Sequence, residues 1–283
     1  MKALERIFRS RGIIWVLGIP AFLIVVVFFA YPCLSLILDS FAPPEWTLDG
    51  YVKDLTDPVI ATVMLRTFGV SVAVMVSTLV IAFPYAYLMT QVSPRARTIM
   101  IAVVLIPFWT SLLARTFAWM VLFQSNGPLQ DALGFFGVDS EPLLGTTTGV
   151  LISMIQILLP FMILPLYSSL SGIDPNFLRA ASSLGANGFQ TFLKVYTPLA
   201  LGGVAAGSLL VFIMSLGFYI TPRIIGSPQQ AMIGQIIAMR VEQLIDFGGA
   251  GVLSVLLLLA FLATMLVLGA IFLAARQFKK CWN

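Results

Sequence analysis

The stretch LRAASSLGANGFQTFLKVYTP, residues 178–198, is the polar connection that decides how the apolar parts of this chain are arranged. It separates two apolar runs, residues 148–171 and 198–221, each as long as the roughly 20 residues that a bilayer-crossing helix needs. The stretch itself is too polar to cross a bilayer, and its apolar residues recur at helical spacing. It therefore predicts a short helical connection at the membrane surface between two membrane spans.

The composition of the whole chain agrees with this interpretation. Of its 283 residues, 59% are hydrophobic and 10% are charged, whereas a soluble domain carries about 25% charged residues. The sequence contains no histidine, which excludes a His-based metal site or acid–base pair. The two cysteines, Cys33 and Cys281, lie near opposite ends and predict neither a disulfide framework nor a metal site. We predict an all-α integral membrane protein without a cofactor.

Six segments are long and apolar enough to cross a bilayer, and we predict six transmembrane helices. The segments cover approximately residues 13–38, 67–90, 98–123, 148–171, 198–221 and 250–275. The basic N-terminus followed by an apolar run is similar to a signal peptide, but the run is far longer than an h-region of about 7–15 residues. We therefore expect a retained first span and a single transmembrane domain over residues 1–283.

The charges of the connections predict the orientation of these spans. One alternate set of connections, which includes both termini and residues 178–198, carries 11 basic and two acidic residues, and the other set carries four basic and ten acidic residues. Because cytoplasmic loops are enriched in Lys and Arg, both termini and the quoted stretch are expected in the cytoplasm. The outer connections 126–137 and 228–248 show helical spacing and predict short surface helices.

Local signals divide the quoted stretch into two helices. Asp174 is a suitable N-cap and Pro175 a suitable first helical residue. Gly185 is placed to end this helix in a left-handed turn, and Pro198 marks the entry into the next span. The first helix has a small face that allows close approach by another protein, formed by Ala180, Ala181, Ser182 and Ser183. The alternative is a surface helix that only links two spans.

These residues resemble the cytoplasmic loop of ABC importer permeases, in which Glu-Ala-Ala is followed after three residues by Gly and after nine more by Ile-x-Leu-Pro. The chain has the Ala-Ala, Gly and Pro at that spacing, whereas Arg179, Val195 and Thr197 replace the family's Glu, Ile and Leu. A salt bridge made by the family's Glu is therefore not carried over. The resemblance implies a coupling loop at about 174–197 that docks on a cytoplasmic ATPase. Its contact residues would be Arg179, Ala180, Ala181 and Gly185.

Two further phrases, IPFWTSLLART (106–116) and LLPFMILPLYSSL (158–170), resemble the B-type permease subunits of spermidine/putrescine ABC importers. The resemblance implies a type I ABC importer permease in the bacterial inner membrane that carries a small organic cation, a polyamine, and has no enzymatic centre. It also implies partners: two cytoplasmic ATPase subunits, a second permease that is a non-identical homologue, and a periplasmic solute-binding protein. An ABC permease for another solute stays open as an alternative.

Gln156 and Pro160 in the fourth segment are candidates for the solute path. Proline has no N–H, so Pro160 leaves the carbonyl of Gln156 without its usual helical donor. At about 1.5 Å per residue from Thr148, Gln156 lies about 12 Å into the bilayer, where its side chain and carbonyl could accept from a cation. The alternative is a kinked structural helix in which Gln156 bonds to a neighbour.

Trp109 and Arg115 in the third segment are the next candidates. Arg115 is the one charged residue within a predicted span, and intramembrane charges are functional hypotheses by default. It lies about 24 Å along a core about 30 Å thick, so we expect an outer-gate or structural charge that does not contact a cationic solute directly. Trp109, nearer the midplane, could hold an ammonium group by cation–π attraction, or could simply pack or face lipid.

The fifth segment combines a packing signal with aromatic residues. Gly203 and Gly207 form a small-xxx-small pair that predicts close helix packing. Phe212 and Tyr219 follow toward the outer end, where they form either an apolar gate on the solute path or an interfacial aromatic belt.

Two other classes of function remain to be weighed against an ABC permease. A stand-alone secondary transporter or channel predicts inverted repeats and intramembrane acids for ion coupling, and the predicted spans contain no Asp or Glu. A membrane enzyme needs clustered catalytic groups at membrane depth, which the spans also lack. No Gly-rich GxxxxGK[ST] loop is present in the sequence, and nothing in it predicts nucleic-acid binding.

Overall fold

The computed structural model describes residues 19–20, 22–41, 46–137 and 141–281, and its regular elements in these ranges are helical. We number them α1 to α13. They are α1 (Phe22–Asp39), α2 (Asp49–Thr56), α3 (Pro58–Gln91), α4 (Pro94–Trp109), α5 (Leu112–Phe123), α6 (Pro128–Phe135), α7 (Thr147–Ser171), α8 (Pro175–Ser183), α9 (Gly188–Thr191), α10 (Phe192–Leu216), α11 (Ile220–Ile225), α12 (Ile233–Glu242) and α13 (Phe247–Cys281).

Five helices in the described ranges are long and apolar enough to span a membrane: α1, α3, α7, α10 and α13, the last over Phe247–Leu266. A sixth span is obtained if α4 and α5 are counted together, although the two helices are bent by 94°. The all-helical membrane fold is thus confirmed. The predicted residues 13–18 of the first span lie outside the described part of the chain.

Two boundaries differ from the sequence prediction. Helix α3 begins at Pro58, well before the predicted residue 67, because Pro58 suits a helix start and no glycine or proline interrupts the following turns. The fifth span is shifted toward the N-terminus, since α10 begins at Phe192 in a π-helical turn, Phe192–Tyr196, and ends at Leu216. The predicted outer helices are present as α6 and α12.

The chain divides into two compact units: Val59–Ile236, and a second unit in which residues up to Pro58 join those from Ile237 onward. In the larger unit, α7 and α10 form the main helix pair, and the apolar core around them is completed by residues from α3. In the smaller unit, α13 packs on α1 and α2. There a Cβ on Gly251 would lie 2.8 Å from the Leu36 carbonyl oxygen, so the glycine permits this approach of α13 to α1.

The predicted glycine packing of α10 is present. A Cβ on Gly203 would lie 2.4 Å from Ser169 Cβ of α7, and one on Gly207 would lie 2.8 Å from Met162 Sδ. The Gly203 N–H also donates to Ser169 Oγ at 3.2 Å. Small residues let two backbones approach closely, which is how helices associate where lipid offers no hydrophobic advantage. The fourth and fifth spans are therefore a tightly packed pair.

Candidate coupling element and solute path

The element that joins α7 to α10 begins as its sequence predicts. Asp174 is the N-cap of α8, its Oδ1 accepts from the Asn176 N–H at 2.9 Å, and Pro175 occupies the first turn. Since the first N–H groups of a helix have no intrahelical acceptor, this carboxylate fixes where α8 starts. The connection between α7 and α8 is therefore short and defined.

The end of α8 is a left-handed glycine turn. Gly185 has φ +83°, its N–H donates to the Ser182 carbonyl at 3.0 Å, and the Ala186 N–H donates to the Ala181 carbonyl at 3.1 Å. This is the bonding pattern of a Schellman motif, in which the left-handed residue is usually glycine because it has no Cβ. The predicted turn is confirmed, and it sets the angle at which α9 leaves α8.

The four predicted contact residues are not equally accessible. Arg179, Ala180 and Gly185 are exposed, whereas Ala181 is 8% exposed and faces into the chain. Ala181 therefore packs beneath the predicted ATPase contact surface and cannot contact a partner directly. The exposed side chains of α8 after Arg179 are small (Ala180, Ser182 and Ser183), whereas Phe177 before it is 55% exposed and adds an apolar group to the surface.

An aromatic cluster ties the far end of this loop to α3. The rings of Tyr87 and Tyr196 meet edge to face at 5.1 Å, and Phe192 contacts Tyr87 and Phe83 at 5.8 Å each. Such pairs add about 0.5–1.5 kcal/mol each beyond the burial of their surface. The π-helical turn Phe192–Tyr196 supplies two of these rings. The coupling loop is thus fixed to α3, α7 and α10.

The third span is broken where the sequence predicted a continuous helix. Pro107 lacks an N–H, and Thr110 takes an extended conformation (φ −82°, ψ 151°) whose Oγ1 donates to the Pro107 carbonyl at 2.6 Å. Helix α5 then starts at Leu112 in a direction 94° away. The straight helix from which the depth of Arg115 was inferred is therefore absent, because α4 ends at Trp109 and Arg115 lies on a helix with a different direction.

Gln156 hydrogen-bonds to a neighbour, which is one of the two alternatives that its sequence position left open. Its Oε1 accepts from the indole N–H of Trp119 at 3.2 Å, and both side chains are half-buried. Pro160 lies buried inside α7 four residues further on and cannot donate to the Gln156 carbonyl. Trp119 was not identified from the sequence, where a tryptophan near a span end is indistinguishable from an interfacial anchor.

Arg115 lies on α5, half-buried. Its Nε and Nη1 atoms are buried and have no hydrogen-bond partner among the described residues. At the next residue, the hydroxyl of Thr116 lies 3.1 Å from that of Thr221 and ties α5 to α11. A guanidinium with two buried, unbonded donors is unfavourable in an isolated chain.

The remaining path candidates are placed differently from one another. Trp109, at the break, is 83% exposed. Phe212 is 4% exposed and packs edge-on against Phe68 at 6.0 Å, so it belongs to the packed interior of the larger unit. Tyr219 is half-buried at the start of α11. The structure therefore does not bring these three side chains into one lining surface.

Asp54 and Arg240 form an ion pair that the sequence did not reveal. Within the smaller unit, Arg240 donates to the two carboxylate oxygens of Asp54 at 2.7 and 2.8 Å and to the Gly249 carbonyl at 2.8 Å. The hydrogen bonds that Arg240 donates to the Asp54 carboxylate raise the pKa of Arg240 above its usual value. The one signal for this pair in the sequence is the opposite charge of two residues in separate polar segments.

This arrangement defines a class: a helical membrane protein with a short structured loop between two tightly packed candidate spans. No protein-family model matches the chain. It is 33% identical over 215 residues, 75% of each chain, to the spermidine/putrescine transport system permease protein PotB of Salmonella typhimurium. It is 34% identical to the inner membrane ABC transporter permease protein YdcU of Escherichia coli, over 65% of this chain and 63% of that protein.

A solved structure shares the fold. The chain superposes with a TM-score of 0.76, at 15% identity and over 94% of both chains, on a subunit of a bacterial alginate ABC transporter solved with its alginate-bound periplasmic protein. This chain belongs to the family of inner-membrane ABC transporter permease proteins that includes PotB.

Proposed function

We propose that this chain forms half of the membrane channel of an ABC importer and carries a small organic cation, a polyamine such as spermidine or putrescine. The observation that carries the proposal is the similarity to the PotB permeases at 33% identity over three quarters of both chains. The ten acidic and four basic residues of the predicted outer connections add support, because an anionic outer face attracts cations.

The coupling element supports a mechanical role for α8. The ATPase would dock on the exposed residues Arg179 and Ala180, beside the turn at Gly185. Because this loop is fixed to α3, α7 and α10 by caps, rings and close helix packing, displacement of α8 would move those spans together. The chain itself contributes no catalytic group to this cycle; ATP hydrolysis would belong to two cytoplasmic ATPase subunits.

The solute path would pass the break of the third span and the fourth span. Trp109 offers an exposed ring face, and Gln156 offers a backbone carbonyl freed by Pro160 and the second lone pair of the Oε1 that accepts from Trp119. Neutral acceptors of this kind give weak, reversible contacts, whereas a desolvated carboxylate would hold a cation too tightly for release. Tyr219 would lie near the outer entrance, with Phe212 supporting it from the packed interior and Arg115 acting as a gate charge.

A complete importer requires further subunits. A second permease, a non-identical homologue, would supply the other half of the channel, and a periplasmic solute-binding protein would deliver the solute to the outer helices. Selectivity would then reside mainly in the binding protein. The structure that shares this fold was solved in complex with a periplasmic protein, which supports this proposal.

The decisive experiment is uptake of labelled putrescine and spermidine by proteoliposomes that contain the complete complex. We expect uptake that depends on ATP and on the binding protein, and a loss of about tenfold in Trp109→Ala and in Gln156→Ala if each removes about 1.4 kcal/mol of interaction. Absence of uptake for both polyamines would show that the substrate assignment is wrong. Normal uptake by both variants would refute the path and leave the family assignment intact.

The orientation is tested by cysteine labelling in a chain without its two native cysteines. Cysteines at Ser93 and Lys279 should be protected from an impermeant thiol reagent added outside the cell, and cysteines at Asp49 and Asp139 should react. Labelling of position 93 from outside would overturn the predicted orientation.

A further inference from the structure

A cavity of about 190 Å³ opens at the end of the larger unit that carries the coupling loop. It is bounded by the ends of three spans: α3 ends at Gln91, α4 begins at Pro94, and α7 ends at Ser171. The charge distribution predicts that this end faces the cytoplasm. Since the cavity lies at the ends of apolar helices, it lies at the depth of the lipid headgroups.

The polar lining of this cavity is suited to an anion. Its polar side chains are Thr90, Gln91, Arg97, Ser171 and Tyr196. None of the lining residues is acidic, and the one charged residue among them is an arginine. Asp174, next in sequence to a lining residue, is engaged in capping α8. The remaining lining is apolar, from Leu170 and Ile173.

Arg97 is held in a fixed position within this lining. Its Nε donates to the Met89 carbonyl at 3.0 Å, and its guanidinium carbon lies 6.0 Å from the centroid of the Tyr167 ring. These two contacts orient the guanidinium plane and leave Nη1 and Nη2 without a hydrogen bond to any described residue. An arginine fixed in this way presents two parallel donors, the geometry that recognises a phosphate by two bonds.

We propose that this cavity binds a phosphate group and that its occupant is the headgroup of an anionic phospholipid of the cytoplasmic leaflet. Arg97 donates to two phosphate oxygens through Nη1 and Nη2, and the Gln91 amide, which keeps one N–H beyond its bond to Thr90 Oγ1, also lines the cavity. Leu170 and Ile173 provide an apolar border for the glycerol part of the lipid. Basic pockets between spans on the cytoplasmic side are the sites at which membrane proteins recognise such headgroups.

The lipid also has a structural connection to the coupling loop. Tyr196 lines the cavity, belongs to the π-helical turn at the start of α10, and lies 3.4 Å from Thr90 Oγ1 through its hydroxyl. A bound headgroup would therefore contact both the end of α3 and the first turn of α10. This inference concerns a lipid and does not depend on which solute the channel carries.

The test compares two neighbouring arginines in the full chain, purified with its partner subunits. Arg97 lines the cavity, whereas Arg95 is exposed on the same helical turn and is not part of the lining. The complex is reconstituted in vesicles of equal parts phosphatidylcholine and phosphatidylglycerol, and retained lipid is measured by native mass spectrometry. We expect preferential retention of phosphatidylglycerol, reduced about tenfold by Arg97→Gln through loss of a charge-assisted bond, and unchanged by Arg95→Gln.

A second variant avoids any effect of Arg97 on folding. Gln91 is exposed, and Gln91→Glu places a negative charge in the lining without altering a buried contact. We expect this variant to assemble normally and to lose phosphatidylglycerol as well. Retention equal to wild type in Arg97→Gln and Gln91→Glu would overturn the proposal. An equal loss in Arg95→Gln would also overturn it, since that result would reflect charge near the membrane rather than a site.

A further arm separates lipid from soluble phosphate. Inorganic phosphate and glycerol 3-phosphate are added in turn to the detergent-solubilised wild-type complex with its retained lipid. We expect neither to displace phosphatidylglycerol. Displacement by inorganic phosphate that Arg97→Gln abolishes would assign the cavity to a soluble phosphate and overturn the lipid assignment.

Discussion

The helix pairs α7–α10 and α4–α5 lie in the same unit and differ in how their backbones are held. In α7–α10, Gly203 leaves no room for a Cβ, which would lie 2.4 Å from Ser169 Cβ and 3.0 Å from the Pro165 carbonyl oxygen. In α4–α5, the chain turns by 94° at an extended Thr110. The first pair is fixed by direct backbone contact, and the second by a few side chains on either side of a break.

This difference suggests that the two helix pairs have different roles in a permease subunit: one transmits movement, and the other contacts molecules outside the chain. A pair without free space moves as one body, which suits α7 and α10 because the coupling loop joins their ends. The broken span carries an exposed Trp109 and the two buried, unbonded donor atoms of Arg115. Ser215 of α10 also has an unbonded hydroxyl, but Arg115 is the one charged residue among the described residues with such atoms, so we propose that the second permease contacts the broken span.

The largest expected effect comes from filling the contact in the close pair. Gly203→Leu should destabilise the chain by about 3 kcal/mol, because the new side chain meets backbone and a Cβ that cannot move aside. Thermal unfolding of the purified complex measures the change. Gly202→Leu is the matched control, since a Cβ at Gly202 meets nothing within 4 Å. Equal destabilisation by both variants would show that helix propensity, and not close packing, accounts for the effect.

The next effect concerns the loop that the rigid pair carries. Gly185→Val forces a β-branched residue into φ +83°, a strain of about 1–3 kcal/mol at the end of α8. We expect membrane insertion to persist and solute-stimulated ATP hydrolysis to be lost. Gly188→Val is the control, because Gly188 has no positive φ and open space around its Cβ position. Normal stimulation in Gly185→Val would contradict the coupling role.

Substitution of Arg115 tests whether the broken third span contacts a partner subunit. Arg115→Gln removes two buried donors without acceptors, so the separately purified chain should become more stable by about 1 kcal/mol. Assembly with the second permease should weaken if that subunit supplies the acceptor. Arg66→Gln serves as the contrasting variant: Arg66 donates to the Ala231 carbonyl at 3.3 Å, so its loss should lower the stability of the separate chain. A loss of stability in both variants would show that Arg115 is satisfied within this chain.

The smallest effect concerns the bond between α5 and α7. Trp119→Phe removes the donor to Gln156 Oε1, and we expect a loss of about 1 kcal/mol in thermal unfolding, with the ring contact to Phe123 at 4.9 Å retained. Trp109→Phe is matched in chemistry, but the Trp109 indole N–H has no hydrogen bond to the described residues. The thermal stability of the Trp109→Phe variant should therefore equal that of the wild-type chain. Similar losses of stability in Trp119→Phe and Trp109→Phe would show that the smaller ring, and not the lost hydrogen bond, causes the effect.

Much of the coupling element could be predicted because its signals are local. Asp174 before Pro175 places a helix start, and Gly185 places a left-handed turn, since a capping carboxylate and an absent Cβ act on neighbouring backbone groups. The break of the third span escaped prediction although Pro107 is visible in the sequence. A proline inside an apolar run is compatible with a kinked, continuous helix, and tertiary contacts decide whether the chain turns.

The sequence by itself determined the membrane class, the apolar spans, the loop between α7 and α10 and the glycine face at Gly203, because hydropathy, helix caps and residue size are properties of short segments. Only the tertiary structure decided that the Trp119 N–H donates to Gln156 and that Arg240 pairs with Asp54, 186 residues away. It also decided that Phe212 is buried in the interior and that Arg97 lines a cavity. Those partners are far apart in the chain. In a sequence where most positions are apolar, periodicity does not tell which face of a span meets protein and which meets lipid.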